Sequence, residues 1–176
     1  MHVRDATTAD AAACAAVYAP YVTGTAATFE TEPPSAAEMA RRIEAAQAGH
    51  AWFVAERDDA VVGYAYATAY KTRPAYRWTC ETSVYVGADA RGAGVGRALY
   101  TALLDRLVRR GFRTAVAGLT LPNPASAGLH ASFGFTPAGV LERLGWKAGR
   151  WHDVALLRRD LVPDAGADGA PPAEPV

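Results

Sequence analysis

The amino-acid sequence predicts an α/β sandwich on a mixed sheet, and three observations carry that prediction. The apolar periodicity runs in the order strand, two helices, three strands, helix, strand, helix, two strands. Residues 51–56 and 61–69 flank the acidic turn Arg57-Asp58-Asp59-Ala60 as an adjacent pair, which predicts an antiparallel hairpin rather than a pure βαβ wheel. A strand at Glu81-Thr-Ser-Val-Tyr-Val86 then runs into Arg91-Gly-Ala-Gly-Val-Gly-Arg97, which opens an amphipathic helix.

Taken in order, residues 3–6 read as a short opening strand. Thr7 or Thr8 caps a first helix in which Cys14, Val17, Tyr18 and Tyr21 share one face, with Pro20 and Gly24 closing it. Ser35 and Glu38 form a capping box for a second helix that buries Met39, Ile43 and Ala46 and stops at Gly49. After the central strand, a helix over about 94–110 stacks Leu99, Leu103 and Leu107, carries Arg109 and Arg110 at its negative end, and stops at Gly111. Residues 114–119 form a nearly continuous apolar strand, expected to be buried on both faces. A short helix over 123–133 and strands over 135–144 and 151–160 complete the domain, residues 1–162. Residues 163–176 are rich in Pro, Ala and Gly, lack apolar periodicity, and are expected to be a disordered, dispensable tail.

The 176 residues suit one domain with a full core. Lys+Arg and Asp+Glu balance at 18 each, so no global charge argues for nucleic acid or an anionic membrane as partner. The first residues lack the apolar core of a signal peptide, and no run reaches transmembrane length. Cys14 and Cys80 form no C-x-x-C pair and no zinc spacing, so the expectation is two reduced thiols, no metal and a cytoplasmic location.

Gly92, Gly94 and Gly96 leave the backbone bare where a helix begins. Its first free N–H groups and positive dipole end suit a pyrophosphate. Neither G-x-x-x-x-G-K-[ST] nor G-x-G-x-x-G is present, which excludes a P-loop and a dinucleotide fingerprint. What remains is Arg-x-x-Gly-x-Gly at Arg91, Gly94 and Gly96, which resembles the pyrophosphate loop of the GNAT superfamily of acetyl-CoA-dependent N-acetyltransferases.

The resemblance extends further. Residues 28–33 (Thr-Phe-Glu-Thr-Glu-Pro), 71–76 (Lys-Thr-Arg-Pro-Ala-Tyr), 81–86, 121–123 (Leu-Pro-Asn), Leu129-His130 and 149–154 (Gly-Arg-Trp-His-Asp-Val) occur in that order. Together they are similar to the phosphinothricin and methionine sulfoximine N-acetyltransferase group, over essentially residues 2–161. The resemblance implies the GNAT fold, a central mixed and mostly antiparallel sheet of about six to seven strands flanked by about four helices. It also implies acetyl transfer from acetyl-CoA to the α-amine of a small amino-acid analogue, a role in herbicide or antibiotic resistance, and a homodimer.

Strand alternation sends Glu81, Ser83 and Tyr85 to one face and Thr82, Val84 and Val86 to the other. Burial of Glu81 on an apolar strand would raise its pKa toward that of a working base. The resemblance implies that role for Glu81, and a proton-exchanging role for His130 near the leaving thiolate. It implies cofactor contacts from the backbone of Val84, Tyr85 and Val86, from Arg91, Gly92, Ala93, Gly94, Val95, Gly96 and Arg97, and from Asn123 and Ser126. For the acceptor it implies Lys71 and Arg73 on its acidic groups, with Phe29, Tyr76 and Tyr85 as walls. His152 is assigned a structural role. The alternatives are a GNAT enzyme for another amine (polyamine, antibiotic or protein N-terminus) and a non-catalytic acyl-CoA-binding module.

Overall fold

The computed structural model describes residues 1–162 and 173–176. One seven-stranded sheet runs in the order β1-β2-β3-β4-β5-β7-β6, from β1 (His2–Asp5), β2 (Ala51–Arg57), β3 (Ala60–Ala69), β4 (Thr79–Val86), β5 (Thr114–Thr120), β6 (Thr136–Lys147) and β7 (Arg150–Asp160). Every neighbouring pair is antiparallel except β4 and β5. Among the described residues four α-helices flank it: α1 (Ala11–Gly24), α2 (Ala36–Gly49), α3 (Val95–Arg109) and α4 (Pro124–Ser132).

Two cores occupy the two faces of the sheet. On one, α3 lays Leu99, Leu103 and Leu107 against Phe53, Ala65, Ala67, Cys80, Ala115 and Ala117. On the other, α1 and α2 bring Cys14, Tyr18, Val22, Met39 and Ile43 onto Trp52, Val54 and Tyr64. Trp52, Tyr64 and Tyr66 stack on that face, with ring centroids 5.1 and 4.4 Å from Trp52. Aromatic stacking of this kind extends the contribution of area burial.

Several expected boundaries move. α1 ends at Gly24 as expected, but Pro20 does not close it, because the buried stripe Cys14, Tyr18, Val22 continues past the proline. Pro20 is itself exposed, so its ring stays clear of the core. Ser35 caps α2 by accepting the Glu38 N–H at 3.1 Å, but the Glu38 carboxylate turns to Arg41 and Arg42 rather than closing a box. The β2–β3 hairpin turns at Asp58 and Asp59, φ 52° and 59°, the left-handed pair a tight two-residue turn demands.

β5 is buried on one face only, through Ala115, Ala117 and Leu119. Its other side is half-exposed at Val116 and Thr120 and open at Gly118. The cause is topological: α1 and α2 cover β2 to β4 and leave this half of the sheet uncovered. β6 also runs three residues past Leu144, bending at register shifts with β7 after Pro137 and Leu141.

The predicted tail falls mostly on residues 163–172, outside the described residues. The last four residues lie against the domain. Trp78 Nε1 donates to Ala173 O at 2.9 Å, Glu174 pairs with Arg77 at 2.9 Å, and Val176 N–H donates to Arg110 O at 2.9 Å.

Candidate active site

The site originates in a fork. β4 and β5 pair in parallel only from Thr79 with Thr114 to Glu81 with Val116, and beyond that they separate. Residues of an antiparallel ladder point both backbone groups alternately to one neighbour and then the other. Gly87 N–H donates to Val62 O on β3, so odd-numbered β4 residues face β3 while Thr82, Val84 and Val86 face the gap that β5 leaves. The gap is a cavity of about 710 Å³.

Val84, Tyr85, Val86, Arg91, Gly92, Gly94, Val95, Gly96, Arg97, Asn123 and Ser126 line this one cavity, as does His130; Ala93 does not. Gly92 and Gly94 take φ 75° and 79°, conformations that favour glycine. That turn aims the first free N–H groups of α3, and its positive end, at the cavity. A Cβ on Gly96 would lie 3.3 Å from Leu129 Cδ2, so its bare backbone also sets how closely α3 approaches α4. Across the gap Asn123 caps α4, its side-chain oxygen accepting the Ser126 N–H at 3.1 Å.

Glu81 stands at the crotch of the fork, beside the bare backbone of Gly118, where a Cβ would be 4.0 Å from Oε1. Its carboxylate makes no hydrogen bond or ion pair among the described residues. Contrary to the expectation of burial, the side chain reaches solvent. The protein mass around it nevertheless desolvates the carboxylate and raises its pKa, with the nearby charge of Lys71 opposing the rise.

His130 lies deep, 3% exposed. Its Nδ1 is 2.8 Å from Ser126 O and its Nε2 is 2.8 Å from the Tyr100 hydroxyl. Burial pushes its pKa down, partly offset by the Ser126 contact. Glu81 and His130 serve opposite sides of β4, because the Thr82 side chain beneath His130 and Tyr100 points away from the Glu81 face.

Phe29 is partly exposed and packs its ring onto Gly145, whose missing Cβ leaves the room, beside His152. Lys147 Nζ donates to Thr28 O at 2.8 Å, fixing that loop on the β6–β7 hairpin. Tyr85 joins Tyr18, Tyr21 and Tyr64, with centroids 4.7 to 5.4 Å away. Lys71, Arg73 and Tyr76 are not brought into the main cavity. They are exposed and line a separate hollow of about 310 Å³ with His50, Arg77 and Glu174.

Sequence reasoning missed Tyr21, Thr82, Tyr100 and Arg150. Tyr21 and Tyr100 were legible only as helix-face residues, and nothing local to either reports its partner on another element. His152, assigned a structural role, is buried with Nε2 3.0 Å from Lys147 O and also borders the cavity with Arg150. Among the described residues no cluster of three or more His, Cys, Asp or Glu forms a metal site.

Comparison with known proteins agrees with this geometry. The chain is 47% identical over 154 residues to the phosphinothricin N-acetyltransferase of Alcaligenes faecalis, covering 86% of this chain and 78% of that one. It is 35% identical over 169 residues to the L-methionine sulfoximine/L-methionine sulfone acetyltransferase of Salmonella typhimurium, covering 96% and 99%. The structure of a GNAT superfamily phosphinothricin acetyltransferase from Sinorhizobium meliloti, in complex with acetyl-CoA, matches with a TM-score of 0.91 and 38% identity over 98% of this chain and 93% of that one. The family described as Acetyltransferase (GNAT) domain matches residues 3–156, and this chain belongs to it.

Proposed function

We propose that this acetyltransferase moves the acetyl group of acetyl-CoA to the α-amine of a small amino-acid analogue of the phosphinothricin, methionine sulfoximine or methionine sulfone type, with Glu81 as base. The observation that carries the reading is the fork. It leaves the Val84 and Val86 backbone unpaired by β5, leads straight to the α3 N-terminus, and sets a carboxylate of raised pKa at its crotch.

In this reading the Val84 and Val86 backbone groups hold the pantetheine arm as an added strand would. The Gly92–Arg97 turn and Arg91 hold the pyrophosphate, and Asn123 and Ser126 border the arm. Val84 N–H polarises the thioester carbonyl. Glu81 takes the proton of the acceptor ammonium, directly or through one water, and frees the amine to attack. His130, on the opposite face, exchanges the proton that the leaving thiolate requires. Lys71, whose charge already acts on Glu81, attracts the acceptor's carboxylate, with Arg73 and Tyr76 farther out on the same loop. Phe29 and Tyr85 wall the pocket.

The names of the relatives support the acceptor class. Two free, buried cysteines are in keeping with a reducing, cytoplasmic setting, and among the described residues no helix is long and apolar enough to cross a membrane. A homodimer is supported by Val140, Leu141, Leu144, Trp146 and Trp151, exposed together on β6 and β7 next to the cavity-lining Arg150 and His152.

A thiol-release assay tests the reaction. Phosphinothricin, methionine sulfoximine and methionine sulfone are compared with a polyamine, an aminoglycoside and a peptide amine. Turnover of the first group supports the reading. Turnover confined to the second sinks the acceptor class, and acetyl-CoA binding with no turnover of any amine sinks the enzyme reading.

A further inference from the structure

A buried chain of polar groups runs under the α3–α4 side of the cavity. Ser126 O, the His130 ring, the Tyr100 hydroxyl, Thr82 Oγ1 and Val116 O follow one another at 2.8, 2.8, 3.1 and 3.3 Å. Tyr100, Thr82 and His130 are all buried. Both ends are carbonyls, which only accept. His130 Nδ1 therefore carries a proton and donates it to Ser126 O. Ser126 Oγ, 3.3 Å from Nδ1, is the more distant second contact. The lone pair of Nε2 then faces Tyr100, whose phenol donates to it.

A proton count gives the chain its character. Four contacts join these groups, while a neutral imidazole, a phenol and a hydroxyl bring three protons. One contact is always short of a proton. The two contacts of His130 are the short ones, so the deficit falls at the Thr82 end, and Thr82 lines the cavity. Adding one proton completes the chain: the imidazolium donates to Ser126 and Tyr100, Tyr100 to Thr82, and Thr82 to Val116.

We propose that Tyr100 and Thr82 are positioning residues of the acetyl-transfer reaction, fixing the His130 tautomer and carrying its proton exchange with the cleft. The inference rests on the proposed role of His130. In the loading direction a proton arrives at Thr82 Oγ1 as the Thr82 proton passes to the Tyr100 oxygen and the Tyr100 proton passes to Nε2. Each oxygen gains one proton and loses one, the imidazole becomes imidazolium, and no electrons change hands. Unloading reverses every step and leaves a proton for the thiolate.

The surroundings suit such a store. Phe133 and Phe135 pack on the Tyr100 ring, and Phe135 also packs on His130. The titratable neighbours are Cys80 on β4 and Tyr66 on β3, which act on Tyr100, and burial raises both of their pKa values, that of Cys80 to about 12. The Arg97 guanidinium lies over the ring of Phe133, 5.7 Å from its centroid. Tyr100 is itself held protonated by burial.

Two measurements on the full chain test the proposal. In ¹⁵N-histidine NMR, which needs no acceptor, His130 is expected as the Nδ1–H tautomer. Tyr100→Phe leaves the imidazolium Nε2–H without its acceptor, a larger loss than that of the neutral bond, and is expected to lower the His130 pKa by about one pH unit. An Nε2–H tautomer in the wild type, or an unmoved pKa in Tyr100→Phe, overturns the tautomer link.

In steady-state assays with phosphinothricin, methionine sulfoximine and methionine sulfone, Thr82→Val is expected to lower kcat at least about tenfold. The KM for acetyl-CoA should stay within about twofold, and Thr82→Ser should restore most of the rate. Wild-type kcat in Thr82→Val, with His130→Ala inactive, overturns the relay and leaves the role of His130 standing. Wild-type kcat in His130→Ala overturns that role and the relay together.

Discussion

The Tyr21 hydroxyl lies 2.6 Å from Val86 O and 3.3 Å from Val86 N, donating to the first and accepting from the second. One side chain from α1 thus holds both backbone groups that β4 turns toward the fork at its end. The same ring lies under the Arg91 guanidinium, 5.2 Å from the ring centroid, and against Tyr85. Tyr21 is therefore in contact with two proposed cofactor determinants and with a proposed wall of the acceptor pocket.

In the proposed reaction the pantetheine arm uses the Val86 groups, so Tyr21 competes with it. Tyr21→Phe removes the competing hydroxyl and keeps the ring beneath Arg91. Acetyl-CoA binding measured by calorimetry is expected to tighten roughly three- to tenfold, the worth of about one net hydrogen bond. Weaker binding would mean that the hydroxyl assists the cofactor, and this competition would be ruled out.

Glu81 gives the pH dependence its sign. Its pKa is raised by desolvation, so the carboxylate form that would accept the ammonium proton in the proposed reaction is lost as pH falls through a value above the ordinary carboxylate range. Activity is expected to drop along an acid limb placed there. Lys71→Met removes the opposing charge and should shift that limb further up. Glu81→Gln is expected to cut kcat by about 10²–10⁴-fold while leaving acetyl-CoA affinity within a factor of two. An acid limb that stays in place in Lys71→Met would detach it from Glu81.

Much of this was legible in the sequence because it is local. The glycine turn, the alternation along residues 81–86 and the Leu99, Leu103, Leu107 stripe each follow from spacing alone, and the structure matches them. The misses are tertiary. Tyr100 neighbours that stripe and reads as core, yet its hydroxyl meets an imidazole thirty residues away. The open face of β5 depends on which strands α1 and α2 cover, which no strand pattern encodes. Lys71 and Arg73 lie just before β4 in sequence, but the loop turns them into a hollow of their own.

Gly94 tests the loop itself. At φ 79°, with no atom within 4 Å of a built Cβ, it has room for a side chain but a backbone that resists one. Gly94→Ala is expected to destabilise the fold by about 1–2 kcal/mol through left-handed strain alone. Urea unfolding measures that loss. Because the strain sits at the N-cap of α3, acetyl-CoA affinity should fall as well. A stability loss near zero would show that the turn relaxes and that its φ is not required.

Trp146 and Trp151 face each other across the β6–β7 hairpin, 59% and 53% exposed, with ring centroids 5.4 Å apart. The hairpin turns at Ala148 and Gly149, φ 50° and 74°, so both indoles are held at its tip by regular pairing rather than by a loose loop. Two large rings in water forgo burial that would stabilise each by about 1.5–3 kcal/mol, and Val140, exposed and paired with Ala155, lies on the same side of the hairpin as Trp151. A second copy covering this hairpin would recover that area and bring its own surface beside Arg150 and His152. Trp146→Glu combined with Trp151→Glu is therefore expected to halve the mass seen by light scattering while the monomer stays folded by circular dichroism. If the dimer also closes the acceptor side, the KM for the acceptor rises in that variant and the Kd for acetyl-CoA does not. A wild-type chain that sediments as a monomer at micromolar concentration would remove both expectations.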